Sequence, residues 1–112
     1  MELAVLSDIH GNYAALSECV SLALSRGIST FLFLGDYLGE MAYPERTMAF
    51  LYDLKDKYEC LFVRGNKEGY WLSHAERGQE QEGWKEYHST TGCLVYNWSR
   101  LTGRDLAFFE GM

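Results

Sequence analysis

The segment Val5-Leu6-Ser7-Asp8-Ile9-His10-Gly11-Asn12 (VLSDIHGN) decides the reading of this chain. An apolar run ends there, and an acid and an imidazole follow one residue apart, ahead of a glycine. Leu3 to Leu6 is short, continuous and bounded by polar residues, the pattern of a buried parallel strand covered on both faces. Along a strand, residues i and i+2 share a side. The Asp-x-His spacing therefore lets Asp8 and His10 reach one ion from a rigid strand end.

The same arrangement recurs twice. Phe31-Leu32-Phe33-Leu34 leads into Gly35-Asp36-Tyr37, and Cys60 to Val63 leads into Gly65-Asn66-Lys67-Glu68. Between these runs lie two helical patterns. Tyr13, Leu16, Val20, Ala23 and Leu24 recur at helical spacing, with Asn12 to cap the start and Gly27 to end it. Pro44 suits a first helical turn, and Met48, Leu51, Tyr52 and Leu54 supply a buried stripe. Strands alternating with helices imply right-handed crossovers and a parallel sheet, hence an α/β class. Ligands of such sheets bind beyond the carboxyl ends of the strands. The three polar clusters should meet there, gathering the carboxylates of Asp8 and Asp36, the imidazole of His10 and the carboxamide of Asn66. Mixed oxygen and nitrogen donors suit manganese, iron, zinc or cobalt. Taken singly, each cluster also has an ordinary reading, since Asp, Gly-Asp and Gly-Asn are common turn and cap residues.

The chain has 112 residues, enough for one modest domain with a real core. Its formal charge of −6 argues against general nucleic-acid or anionic-membrane binding. An anionic small substrate stays compatible if metal ions supply positive charge. Cys19, Cys60 and Cys93 are widely spaced and odd in number, which fits thiols in a reducing cytoplasm better than a disulfide or zinc framework. No signal peptide or membrane span is apparent. Past residue 70 the pattern weakens. Tyr70 to Glu82 is polar and mixed, Gly83 to Trp98 reads as one or two helical pieces, and Thr102 with Asp105 looks like a capping box opening a helix over Gly103 to Phe109.

The ordered set Asp8-Ile9-His10, Gly35-Asp36 and Gly65-Asn66-Lys67-Glu68 resembles the calcineurin-like metallophosphoesterase superfamily. SDIHGN followed by AAL, and GDYLGE followed by Pro44, is most similar to its small bacterial branch. The resemblance covers roughly residues 1–70 as the core motif region and leaves 71–112 as a helical insertion or cap. It implies part of a four-layer α/β/β/α sandwich, cut short at the N-terminal half. It implies hydrolysis of a phosphodiester or phosphomonoester by a two-metal-activated hydroxide. Asp8 and His10 would bind the first metal, Asp36 would bridge, and Asn66 would bind the second. Manganese is the first choice, with iron, zinc, cobalt or nickel as alternatives. Asn66 and Lys67 take the catalytic positions, and Asn12 and Arg64 are candidates to touch substrate. Arg64 can equally pair with a surface acid, and Asn12 reads better as a helix cap.

Two departures from the family pattern matter. Lys67 stands where the motif usually has histidine, and a lysine offers charge but is a poor proton shuttle at neutral pH. The later histidine motifs are absent: His74 and His88 follow no convincing strand and read as exposed helix or loop residues. Tyr37 flanks the site and could orient substrate. The aromatic set Tyr70, Trp71, Trp84, Tyr87, Tyr96 and Trp98 reads as packing beneath a missing half. Half a sandwich should also leave an unpaired sheet edge and an uncovered apolar face. The expected partners are a small phosphoester substrate and either a second copy of the chain or a complementing second half. The alternative readings are a non-catalytic remnant or interaction module, and a protein-phosphatase-like member. In the latter branch Asp-Arg-Gly usually follows Gly-Asp-Tyr, whereas Leu38-Gly39-Glu40 stands here.

Overall fold

Three parallel strands, β1 (Ala4–Leu6), β2 (Thr30–Phe33) and β3 (Glu59–Phe62), lie side by side in that order. The structure is a computed structural model that describes residues 2–77 and 91–112. The register aligns Ala4, Phe31 and Cys60 in one row and Leu6, Phe33 and Phe62 in another. Helix α1 (Tyr13–Ser25) joins β1 to β2, and α2 (Pro44–Lys57) joins β2 to β3. Successive right-handed crossovers that advance in the same direction put both helices on one face. Their adjacency is visible in the edge-to-face contact of Tyr13 on α1 with Phe50 on α2, 5.7 Å between centroids.

Local signals set the helix ends. Asn12 Oδ1 accepts from the Ala15 amide at 3.1 Å and caps α1. Pro44 occupies the first turn of α2, with Glu45 beside it and Lys55 and Lys57 in the last turn, a charge order that suits the helix dipole. Three further helices follow: α3 (Asn66–Arg77), α4 (Gly92–Arg100) and α5 (Gly103–Glu110). The capping box opening α5 is present on both sides: Asp105 N donates to Thr102 Oγ1, and Thr102 N donates to Asp105 Oδ2.

The sheet is lopsided. Phe31 and Phe33 are fully buried on the helix side; Phe33 stacks with both Phe31 and Phe62, and Tyr37 lies tilted against Phe33. Phe108 of α5 lies edge-on to Phe62 at 4.9 Å, and Trp71 of α3 stacks on Phe109 at 6.3 Å. On the opposite face Leu3, Val5, Leu34, Leu61 and Val63 stand exposed, between 43 % and 60 % of their surface open. The reading of strands covered on both faces is thus corrected: the runs are apolar throughout, but only alternate residues are covered. An uncovered apolar face agrees with the expectation for half a sandwich, and β1 and β3 are sheet edges. Trp71 packs beneath the helices, not over the open face. No helix among the described residues is long and apolar enough to cross a membrane.

Candidate metal centre

The three strand ends converge. Asp8, His10 and Asp36 bring ligand atoms within 4.8 Å of one another. Strand alternation is not the cause, because β1 ends at Leu6. Asp8 (φ 54°), His10 (φ 51°) and Asp36 (φ 56°) each adopt the left-handed conformation, which turns the chain back at each step. Backbone bonds then lace the first loop to the second. Asp8 N donates to Gly35 O, His10 N to Asp36 O at 2.9 Å, Gly11 N to Tyr37 O at 2.8 Å, and Met41 N to His10 O at 2.9 Å.

Close backbone approach joins the second loop to the third. A Cβ on Gly35 would lie 2.4 Å from the Gly65 nitrogen, and one on Gly65 would lie 2.5 Å from Asp36 Oδ1, so both positions require glycine. Glu68, fully buried, fastens this junction. Its Oε1 accepts from Asp36 N and Gly65 N, each at 2.8 Å, and its Oε2 from Tyr37 N at 3.2 Å. Burial nonetheless dominates and pushes the Glu68 carboxyl upward, aided by the nearby Asp36 charge and opposed by the three amides. The sequence carried a signal for this role: an acid three residues after a helix-starting residue is half of a capping box. Lys67 N also donates to Asp36 Oδ1 at 2.9 Å, so Asp36 is fixed from both sides.

His10 Nε2 faces Asp8 Oδ1 at 3.4 Å. Ser7 Oγ donates to Asp8 Oδ2 at 2.6 Å, and this bond is the main cause that holds the Asp8 carboxyl below its ordinary range. The two carboxylates repel each other and the imidazole can offset this only in part, so a cation among the three would be favoured. The donor set fits a divalent ion of the manganese, iron or zinc kind. Asn66 is exposed and is the first residue of α3. The sequence reading placed it in a turn, and the structure puts it at the head of a helix, next to the Lys67 amide that binds Asp36.

Lys67 Nζ pairs with Glu40 Oε1 at 3.2 Å. Desolvation lowers the Lys67 ammonium, but the hydrogen bond and charge of Glu40, with Cys93 and Asp36, outweigh it, so the net shift is upward. Lys67 is a cation at neutral pH. Glu40 was not singled out in the sequence, where it is one acid in a glycine-flanked loop.

Three sequence expectations are corrected, and a fourth is decided between its two readings. Among the described residues Arg64 pairs with no acid: its Nε and Nη2 donate to the carbonyls of Phe109 and Glu110 at the C-terminal end of α5. Tyr37 is fully buried, and its hydroxyl lies 2.8 Å from Val63 O and 3.2 Å from Phe33 O, so it ties β2 to β3 and does not orient substrate. His74 is buried in α3, its ring 4.4 Å from that of Trp98 at 72°. Asn12 caps α1, as its better-supported reading had it. His88, Trp84 and Tyr87 lie outside the described residues.

Comparison with known proteins follows the same lines. The family model described as calcineurin-like phosphoesterase matches residues 1–111. The uncharacterized protein MJ0912 of Methanocaldococcus jannaschii is 29% identical over 112 residues, covering 98% of this chain and 41% of that protein. The serine/threonine-protein phosphatase PP2A-like PPG1 of Candida albicans is 37% identical over 68 residues, 59% of this chain and 16% of that protein. The crystal structure of hypothetical protein PH1004 from Pyrococcus horikoshii OT3 superposes with a TM-score of 0.74 at 20% identity, covering 98% of this chain and 47% of that one. The chain spans less than half the length of each of these relatives.

Proposed function

The chain belongs to the calcineurin-like phosphoesterase family, and we propose that its strand-end cluster forms one side of a metal-dependent phosphoester hydrolysis site. The supporting observation is the convergence of Asp8, His10 and Asp36, three non-glycine residues in left-handed conformation on two strand ends. Asp8 and His10 would hold one divalent ion, Asp36 would serve two, and Asn66 would serve the second. Manganese leads, with iron, zinc, cobalt and nickel compatible with the same donors. Bound ions of this kind polarise phosphoryl oxygens and activate water at neutral pH.

The chain's own residues have separable tasks in this reading. Glu68 and the paired glycines hold Asp36 in place. Lys67 offers fixed positive charge toward a phosphoryl oxygen. Its upward shift makes it unsuited to passing a proton. The substrate is a small phosphodiester or phosphomonoester. Three ligands to one ion and two to the other fall short of the four to six that such ions usually take. Tight metal binding and turnover therefore need further donors, from additional sequence or from a second copy. The compartment is a reducing one, the cytoplasm, in keeping with three cysteines outside any disulfide.

A second reading is a protein that keeps the ligand geometry without turnover. The ion pair that engages Lys67 with Glu40 favours it. One assay separates the two: hydrolysis of bis-p-nitrophenyl phosphate with manganese, beside the Asp36→Asn variant. Turnover by the parent and not by the variant sinks the inert reading. A folded parent without turnover sinks the catalytic one for this chain.

A further inference from the structure

Glu40 occupies a position that the hydrolytic reading leaves unused. His10 Nδ1 is buried and has no aligned hydrogen-bond partner. The Glu40 Oε2 oxygen stands 3.2 Å from it, off the line of the N–H, on a side chain that is 57% exposed and can rotate. The other oxygen of the same carboxylate pairs with Lys67 Nζ. The imidazole has therefore one nitrogen toward Asp8 and the metal donors, and the other toward Glu40.

The loop that carries Glu40 is built against this ring. A Cβ on Gly39 would meet His10 Nδ1 at 2.3 Å and Cγ at 2.9 Å, so only glycine lets the loop lie on the imidazole. Asn97 of α4, fully buried, donates from Nδ2 to the Gly39 carbonyl at 2.7 Å. Helix α4 thereby sets the height of Glu40 over His10. A neutral imidazole carries one N–H, and two carboxylates compete for it, Asp8 at 3.4 Å from Nε2 and Glu40 at 3.2 Å from Nδ1; Glu40 is the nearer and faces the buried nitrogen, so the proton is favoured at Nδ1. That leaves the Nε2 lone pair free for a metal, and a carboxylate behind a ligating histidine also raises its basicity.

We infer that Glu40 is a positioning residue: held by Lys67, it fixes the Nδ1–H tautomer of His10 and so presents Nε2 to the metal side. This rests on the metal-centre reading, and its test is arranged to fail separately. Long-range 15N–1H correlation spectra of the metal-free protein at pH 8 report which nitrogen of His10 carries the proton. The parent is expected to show Nδ1–H. Glu40→Ala is expected to lose that preference, and Glu40→Gln, which restores a neutral acceptor, to recover it. Lys67→Met is expected to give an intermediate mixture, because Glu40 is then untethered. Cobalt(II) titration followed by the visible d–d bands should show affinity reduced about tenfold or more in Glu40→Ala, the scale of lost outer-shell partners. An unchanged tautomer in folded Glu40→Ala overturns the inference, as does a Lys67→Met spectrum identical to the parent's. A parent that shows Nδ1–H but develops no cobalt d–d bands even at large metal excess, where weak sites fill, overturns the metal-centre reading and leaves the tautomer result standing.

Discussion

The two faces of the sheet are built from comparable residues and meet different surroundings. Phe31, Phe33 and Phe62 on one face belong to the helix-covered core, Phe62 edge-on to Phe108 of α5, and Leu3, Val5, Leu34, Leu61 and Val63 on the other lie open. Side-chain chemistry does not separate them. Chain direction does: two crossovers that advance the same way put their helices on the same side. The open face is a contiguous exposed apolar area, of the kind found where proteins meet a partner.

The sharpest way to break this comparison is to cut an equivalent residue from each face. Phe33→Ala should destabilise the fold by about 3–5 kcal/mol. Leu61→Ala should change it by no more than about 0.5 kcal/mol, as for an ordinary surface site. Urea unfolding at several protein concentrations measures both. Equal losses would mean that the open face is buried in solution.

Next in size is the edge where the faces meet the site. Glu68→Gln sets an amide N–H2 against one of the three backbone donors that the carboxylate now accepts from. A loss of about 1–3 kcal/mol is expected, with the Asp36 loop, not the helices, losing hydrogen-exchange protection first. Uniform loss of protection would show that Glu68 acts on the whole fold.

Smaller in energy is the effect of charge on the open face. Leu61→Lys with Val63→Lys should leave the melting temperature nearly unchanged and shift sedimentation toward the monomer if copies meet through this face. An unchanged sedimentation profile assigns the face to another occupant.

The smallest effect is chemical. Burial pushes the Cys60 thiol upward, because the charged thiolate is disfavoured on the covered side. The thiolate is the reactive form. Cys60 should therefore alkylate more slowly than exposed Cys19 at pH 7.5, and the gap should narrow as pH rises through the Cys60 value. Mass spectrometry of iodoacetamide adducts over that range reads it directly, and equal rates at pH 7.5 would contradict the burial of Cys60.

Much of the architecture is legible in local signals. Asn12, Pro44 and the Thr102–Asp105 box mark helix ends by chemistry that acts within one turn. The three strand-end clusters are legible because sheet topology brings them together whatever the details. Sidedness is not, since Phe31-Leu32-Phe33-Leu34 is apolar at every position and its period carries no information. Helix α3 is hidden for a related reason. Gly65-Asn66 reads as a turn, and the buried stripe Glu68, Trp71 and His74 is mostly polar. Glu40 is invisible because its meaning depends on His10 and Lys67, each about thirty residues away. The convergence of Asp8 and His10 is foreseen, but its cause is a pair of left-handed residues and not the strand's alternation.

Those left-handed residues have a consequence for anyone who would engineer the chain. Asp8, His10 and Asp36 hold a backbone conformation in which glycine is at ease and other residues are less so. A search for thermostable variants, scored on melting temperature alone, would be drawn to glycine at these three positions first. Each replacement would relieve backbone strain and would delete a metal donor, and at Asp36 also the acceptor of the Lys67 amide. The sites where the backbone of this protein is strained are the sites where its chemistry is written.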